Sequence, residues 1–212
     1  MEKAYADYRG LRDFVAAKVT ANTVSSYTTE TWRQLEGAIS AAIEGAESSA
    51  SVFRDNKPVR TMSTEGPDTA TVNMDVLANN VRAWLEGRTY SEKNNVFIKT
   101  PKVFAEFALG FIGKKTDGTE EAVIMYVTTV TGGNEERNTE DDGTDVTTAE
   151  YVFTGVYTKK KFVLEDKTAS VKSITIPLTD TITEETIFGK FTDGESDKTV
   201  LTPEEIIALD AA

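Results

Sequence analysis

The sequence predicts a mostly β, mostly antiparallel fold with one short flanking helix and a short C-terminal helix. Three observations carry that. Residues 69–76 alternate strictly: Ala70, Val72, Met74 and Val76 fall on one face, and Thr69, Thr71, Asn73 and Asp75 on the other, as a half-buried antiparallel strand requires. The period then changes. Leu77, Val81, Trp84 and Leu85 stand at i, i+4, i+7 and i+8, one face of a helix over 77–86, with Asp75 placed as its N-cap and Gly87 as the left-handed residue that stops it. Residues 102–112 alternate again, with Val103, Ala105, Phe107, Leu109 and Phe111 on an apolar face. An Asp-Gly type turn at 115–118 joins them to a strand over 122–130 as a hairpin.

The remaining elements follow in order. Residues 1–9 read as a polar arm or a frayed start, 11–19 as a first strand and 22–31 as a Ser/Thr-rich turn. A strand over 32–43 contains the small-residue run LEGAISAAI, and a linker over 45–66 ends at Gly66-Pro67. Within the linker, 49–53 makes a short strand and Asp55-Asn56 a turn before Pro58. Residues 131–144 form an acidic loop, and 146–157 return as a strand. Beyond the basic turn Lys159-Lys160-Lys161 the composition shifts to Thr, Ile and Val, giving strands at 162–164, 171–178 and 186–191. The C-terminus is a helix with a Thr202/Glu205 capping box, Pro203 at its first position and a Leu201–Ile206 staple. Two parts are expected, a β-domain over 1–158 and a C-terminal extension over 159–212 that packs on it or stands apart.

Composition removes whole classes of chemistry. The chain has no cysteine and no histidine, which excludes disulfides, thiol nucleophiles, thiolate metal ligands, the common triads and nearly every zinc site. No stretch is long and apolar enough for a membrane helix, and the N-terminus lacks a signal-peptide pattern, so a soluble protein of the cytoplasm at synthesis is expected. The net charge of −12, from 35 acidic and 23 basic residues, repels phosphate and argues against ordinary nucleic-acid binding.

Each motif-like feature has a plainer reading. The acids Glu135, Glu136, Glu140, Asp141, Asp142 and Asp145 lack the one-in-two spacing of a calcium loop and read as a solvated loop. Asp75, Glu106 and Glu150 supply carboxylates for a glycosidase pair, but surface acids are the default on so acidic a chain. The lysine triplet reads as a solvated turn, and Trp84, Phe107 and Tyr126 as core rather than a sugar platform. No phosphate-binding glycine loop, nucleophile elbow or zinc-protease motif occurs. The expectation is a chain without catalysis, cofactor or metal.

Taken together, the run LEGAISAAIEGAESSASVFRDNKPVRT (35–61), the strand DTATVNMDV, the helix ending Leu85-Glu86-Gly87, the Phe107–Phe111 strand with its Lys114-Lys115 turn, the strand reaching Tyr126 and the later Phe153-Thr154-Gly155 resemble, in order and spacing over residues 10–158, the major tail proteins of long non-contractile-tailed bacteriophages. The resemblance implies an antiparallel β-sandwich or partial barrel of tail-tube type. Six copies would close a ring, and rings would stack into a tube through which genomic DNA leaves without specific binding. It implies a virion protein, assembled in the host cytoplasm, partnered by itself, by a tape-measure protein and by tail-terminator and tail-tip proteins, with no membrane contact. Alternatives are the tube of a contractile tail or secretion-like system, and a β-sandwich carbohydrate- or receptor-binding module. On this reading Ser40, Glu44, Thr69, Thr71, Asn73 and Asp75 line the lumen. Glu47, Arg54, Asp55, Lys57 and Arg60 belong to an inter-ring loop. Leu77, Val81, Trp84 and Leu85 are the core face of the helix.

Overall fold

Long strands with apolar side chains on both faces form the spine of the molecule, whose residues 7–54, 57–135 and 148–209 are described in a computed structural model. The chain begins with β1 (Tyr8–Asn22), β2 (Tyr27–Thr29), β3 (Thr31–Gln34), β4 (Ala38–Arg54) and β5 (Lys57–Met74). Helix α1 (Asn79–Glu86) follows, then the small hairpin of β6 (Thr89–Ser91) and β7 (Val96–Ile98), then β8 (Glu106–Lys115), β9 (Glu120–Glu135) and β10 (Ala149–Gly155). The last third holds β11 (Phe162–Val163), β12 (Thr168–Ala169), β13 (Ser173–Pro177), α2 (Glu184–Phe188), β14 (Phe191–Thr192), β15 (Glu195–Thr199) and α3 (Pro203–Leu209). The fold is mostly β and antiparallel, with short helices, as the alternation predicts.

The main sheet runs β14-β15-β3-β1-β8-β9-β10-β5-β4, with β2 added to β1 and β13 added to β9. It curls until β4 comes back against β1. One edge of β9 takes two partners in succession: β13 along 121–125, then β10 along 128–135. The sheet forks there, and each branch covers a different face of β1, β8 and β9.

Between that spine and the branch β10-β5-β4 lies a first core. It holds Phe14, Leu35, Ala70, Val72, Met74, Phe107, Leu109, Phe111, Tyr151 and Phe153, closed at one end by Leu77 and Leu85 around α1. On the opposite face of the spine a second core gathers Val15, Ala108, Ile112, Ile124 and Tyr126 under Trp32, Phe162, Ile176, Ile187, Phe188 and Ile206. Everything from Phe162 in that list belongs to residues 159–209, whose strands β13 and β15 also pair into the main sheet. Gly110 makes the second core possible, since a Cβ there would stand 2.6 Å from the Phe188 ring and 2.9 Å from Val15.

Several expectations give way. The strand over 32–43 is two strands, broken after Gln34, and in the break Gly37 takes φ 81° and its carbonyl accepts the Asp75 amide at 2.8 Å; no side chain fits there, because a Cβ would meet that of Asp75 at 2.7 Å. Asp75 is thus held beyond the end of β5 and is not an N-cap. Helix α1 starts at Asn79, its N-cap position is Ala78, and no side chain caps it. Gly87 does take the left-handed conformation, at φ 64° and ψ 42°. Val76, past the strand end, is exposed, as is Val103, because β8 begins only at Glu106. The turn over 22–31 contains β2, Tyr8 already belongs to β1, and the acidic loop begins as a continuation of β9. The strand over 186–191 is instead α2, where Thr183 and Thr186 form a capping box, followed by the short β14. The C-terminal capping box is present: the Glu205 carboxylate accepts from the Thr202 amide at 2.7 Å and from its hydroxyl at 2.9 Å.

Two outcomes follow for stability. A chain ending after Thr158 leaves Ile112, Ile124 and Tyr126 uncovered and should lose cooperative urea unfolding while binding a hydrophobic dye; a sharp transition matching the full chain would show that the first 158 residues fold alone. Leu85→Ala should cost about 2–5 kcal/mol in chemical denaturation, and Trp84→Ala, at a half-buried rim position, no more than about 3 kcal/mol.

Candidate functional site

The two sides of β5 and its neighbours differ sharply. Ala70, Val72 and Met74 point into the first core, together with Ala149, Tyr151 and Phe153 of β10, which pair opposite them. The other side carries Thr69, Thr71 and Asn73 from β5, with Ser40, Ala42 and Glu44 facing them from β4. Glu150, Val152 and Thr154 extend the same side on β10, and Thr129 and Thr131 on β9. Asn73 donates to the Ser40 hydroxyl at 3.3 Å. The charged members of this face, Glu44 and Glu150, are both acidic and exposed.

Five of the residues expected to line a lumen therefore share one surface: Ser40, Glu44, Thr69, Thr71 and Asn73. Asp75 does not join them, since it lies outside the strand. Glu150, Thr154 and Thr129 belong to this face and were missed. The signal was available in the alternation of Glu150, Val152 and Thr154 against Tyr151 and Phe153, once 149–155 is paired to β5.

The stretch over 45–66 is not a loop. It is the outer half of a long hairpin in which Glu47 pairs with Glu65, Ser49 with Ser63, Val52 with Arg60 and Arg54 with Lys57. Strand β10 accompanies β5 only as far as Asp68, so the two-stranded remainder projects beyond the sheet. At ~3.3 Å per residue the arm reaches roughly 30 Å from Gly45 to its tip. The reason sequence reading missed it is compositional: Ser, Thr, Ala and Glu repeat on both faces, with no apolar side to reveal period two. Glu47 and Lys57 are exposed on the arm, Arg54 and Arg60 sit on its backbone register, and Asp55 lies outside the described residues. Strand β4 is the last strand of the sheet, so its outer edge is unpaired among the described residues, and Ile39 and Ile43 are exposed along it.

Helix α1 covers the end of the first core. Leu77 and Leu85 are buried and Val81 and Trp84 half-buried, with the Trp84 ring edge-on to Phe107 at 5.0 Å and the Arg33 guanidinium 5.0 Å from its centroid. Its last residue, Glu86, is buried too, accepting from Arg82 at 2.8 Å and from the Tyr151 hydroxyl at 3.4 Å. The four expected core positions thus all face the core, two of them at its rim.

Ion pairs fasten the sheet margins. Arg12 donates to Glu120 at 2.8 Å and to Glu184 at 2.5 Å, tying β1 to β9 and α2. Those contacts hold the Glu120 carboxyl below its ordinary value. Burial pushes Glu121 up, but hydrogen bonds from Lys115 and Tyr8 outweigh it and the net direction is down. Glu65 is lowered by hydrogen bonds from Lys172 and then Tyr157. Among the described residues no group of three His, Cys, Asp or Glu converges on a metal-sized site, and no helix is long and apolar enough to cross a membrane. The chain matches no known family model and no curated protein.

Depressed carboxylates stabilise above their unfolded pKa, near 4.3, and lose that contribution as pH falls through the folded value. The raised partners Lys172 and Arg12 act in the opposite sense, losing theirs only as alkaline pH rises through their folded values. With no histidine to titrate between, thermal midpoints should hold a plateau from about pH 5 to 9 and fall below about pH 4. A midpoint that drops between pH 7 and 5 would contradict this.

Proposed function

We propose that this chain is a self-assembling structural subunit of a phage tail tube, closing into hexameric rings that stack around the path of the DNA. The observation that carries the reading is the continuity of three surfaces: a Thr/Ser/Asn sheet face whose charges, Glu44 and Glu150, are acidic; a free edge on β4; and a roughly 30 Å arm leaving from that same edge. A long free edge with exposed Ile39 and Ile43 invites pairing, and ring closure is one way to satisfy it. Duplex DNA carries about one negative charge per 1.7 Å, so a wall bearing Glu44 and Glu150 in every copy leaves it mobile where lysines would hold it. The arm, with acids at its root and Lys57, Arg54 and Arg60 toward its tip, has the reach to lie on a copy in the adjacent ring. The polar face is then the lumen wall and the function is mechanical, without catalysis, cofactor or metal. A tape-measure protein and tube-end proteins are the further partners of such a subunit, and the virion its destination.

Negative-stain imaging of the concentrated protein tests this. The intact chain should form tubes of constant diameter. A chain in which residues 48–64 are replaced by a two-residue Asn-Gly turn should unfold as sharply as the parent yet stay unpolymerised. Normal tubes from the shortened chain would overturn the role given to the arm. An intact chain that stays monomeric at every concentration and salt would overturn the tube reading itself.

A further inference from the structure

Where the arm leaves the sheet, the fork of β9 holds a buried ammonium. Lys172, immediately before β13, is 7% exposed. Its Nζ donates to Glu65 Oε1 at 2.8 Å, to the Gly66 carbonyl at 2.7 Å and to Asp68 Oδ1 at 3.1 Å, all three on the stretch of β5 that departs from β10. Those contacts use the full donor capacity of an ammonium. The Tyr157 ring lies 4.8 Å from the same nitrogen, and its hydroxyl donates to the other Glu65 oxygen at 2.6 Å. The backbone beneath is fixed to the body, since the Lys172 carbonyl accepts from Tyr126 at 2.9 Å and the Val171 carbonyl from Thr158 at 3.0 Å.

A buried lysine is costly unless every donor is met, and a solvated lysine would serve solubility equally well. What this one adds is a tie between the body and the arm root. Beyond it, the arm strands pair only with each other among the described residues. A two-stranded ribbon held only at its base twists and swings. The first arm row sets Glu47 opposite Glu65, a like-charge pair that destabilises unless one member is neutralised, which Lys172 does.

We propose that Lys172, supported by Tyr157, is a positioning residue that latches the arm, fixing the angle at which it leaves the body, and that this angle decides whether copies of the chain engage. The second half rests on the tube-subunit reading; the first does not.

The chain contains no cysteine, so Ser63→Cys on the arm and Asp180→Cys on the body accept spin labels cleanly. Their distance distribution, measured below any polymerising concentration, should be narrow in the parent and about twofold broader in Lys172→Met, because a ribbon freed at its root samples more angles. Tyr157→Phe should broaden it less. Lys190→Met, which removes an exposed pair with Glu185, should leave it unchanged. A Lys172→Met chain that unfolds cooperatively and keeps the narrow distribution overturns the latch. If that variant does not fold, Glu65→Gln carries the same test with the same two outcomes. In the polymerisation assay Lys172→Met should need about tenfold more protein, the scale of one lost charge-assisted hydrogen bond. A broadened arm with an unchanged threshold overturns the link to assembly. If the intact chain forms no tubes while the distances behave as described, the tube reading fails and the latch stands.

Discussion

Burial of β1, β8 and β9 on both faces is the constraint that the other elements answer. Phe14 and Ala16 point one way from β1 while Val15 and Ala17 point the other, and all four are essentially inaccessible. Antiparallel sheets often leave one face to water; this spine leaves neither. Two covers are therefore obligatory, and the fork along β9 provides them. One branch folds back as β10-β5-β4 with α1 at its end. The other begins at β13 and continues through α2, β15 and α3. At ~25 cal/mol per Å² of apolar surface removed from water, neither cover is dispensable to a chain of ordinary marginal stability.

The same constraint explains where polarity is tolerated. Strands β4 and β5 lie over only one core, so their outer side is free to carry Thr, Ser, Asn and Glu. From Asp68 toward the hairpin tip β10 no longer accompanies them, and the two strands pair only with each other among the described residues. The change from half-buried strand to free-standing ribbon occurs within two or three residues, and it is there that the buried cation and its two carboxylates are found. Charge replaces apolar burial as the restraint at the point where burial ends.

What the sequence reveals follows from how many faces each strand buries. The stretch over 69–74 buries one face and was legible to the residue. Strand β8 buries two, so Phe107 to Ile112 is a nearly continuous apolar run, and extending its alternation back to Val103 set its start too early. The arm shows no apolar alternation in its Ser-, Thr-, Ala- and Glu-rich sequence and reads as a linker. Helix α2 is a five-residue turn whose Ile187 and Phe188 show no helical period; only the Thr183/Thr186 cap marks it, and Thr is common enough in this region to hide it. Lys172 could not have been singled out, because a lone lysine beside a Thr/Ile strand is solvated by default and its partners are a hundred residues away in the chain.

The pairing of β15 with β3 joins Glu195 to Arg33 and Thr199 to Thr31, positions separated by most of the chain. During synthesis from the N-terminus, the β4–β5 and β8–β9 hairpins can pair locally, but the second core stays open until α2, β15 and α3 have left the ribosome. The arm, by contrast, is complete by residue 74. The chain therefore completes the free edge of β4 long before the body behind it is finished, and Lys172 reaches the arm root only with the last third of the chain. Nascent chains on one message are crowded, so the order of events along the sequence acts as a clock: the arm is aligned first, when Lys172 arrives, and the body closes after it.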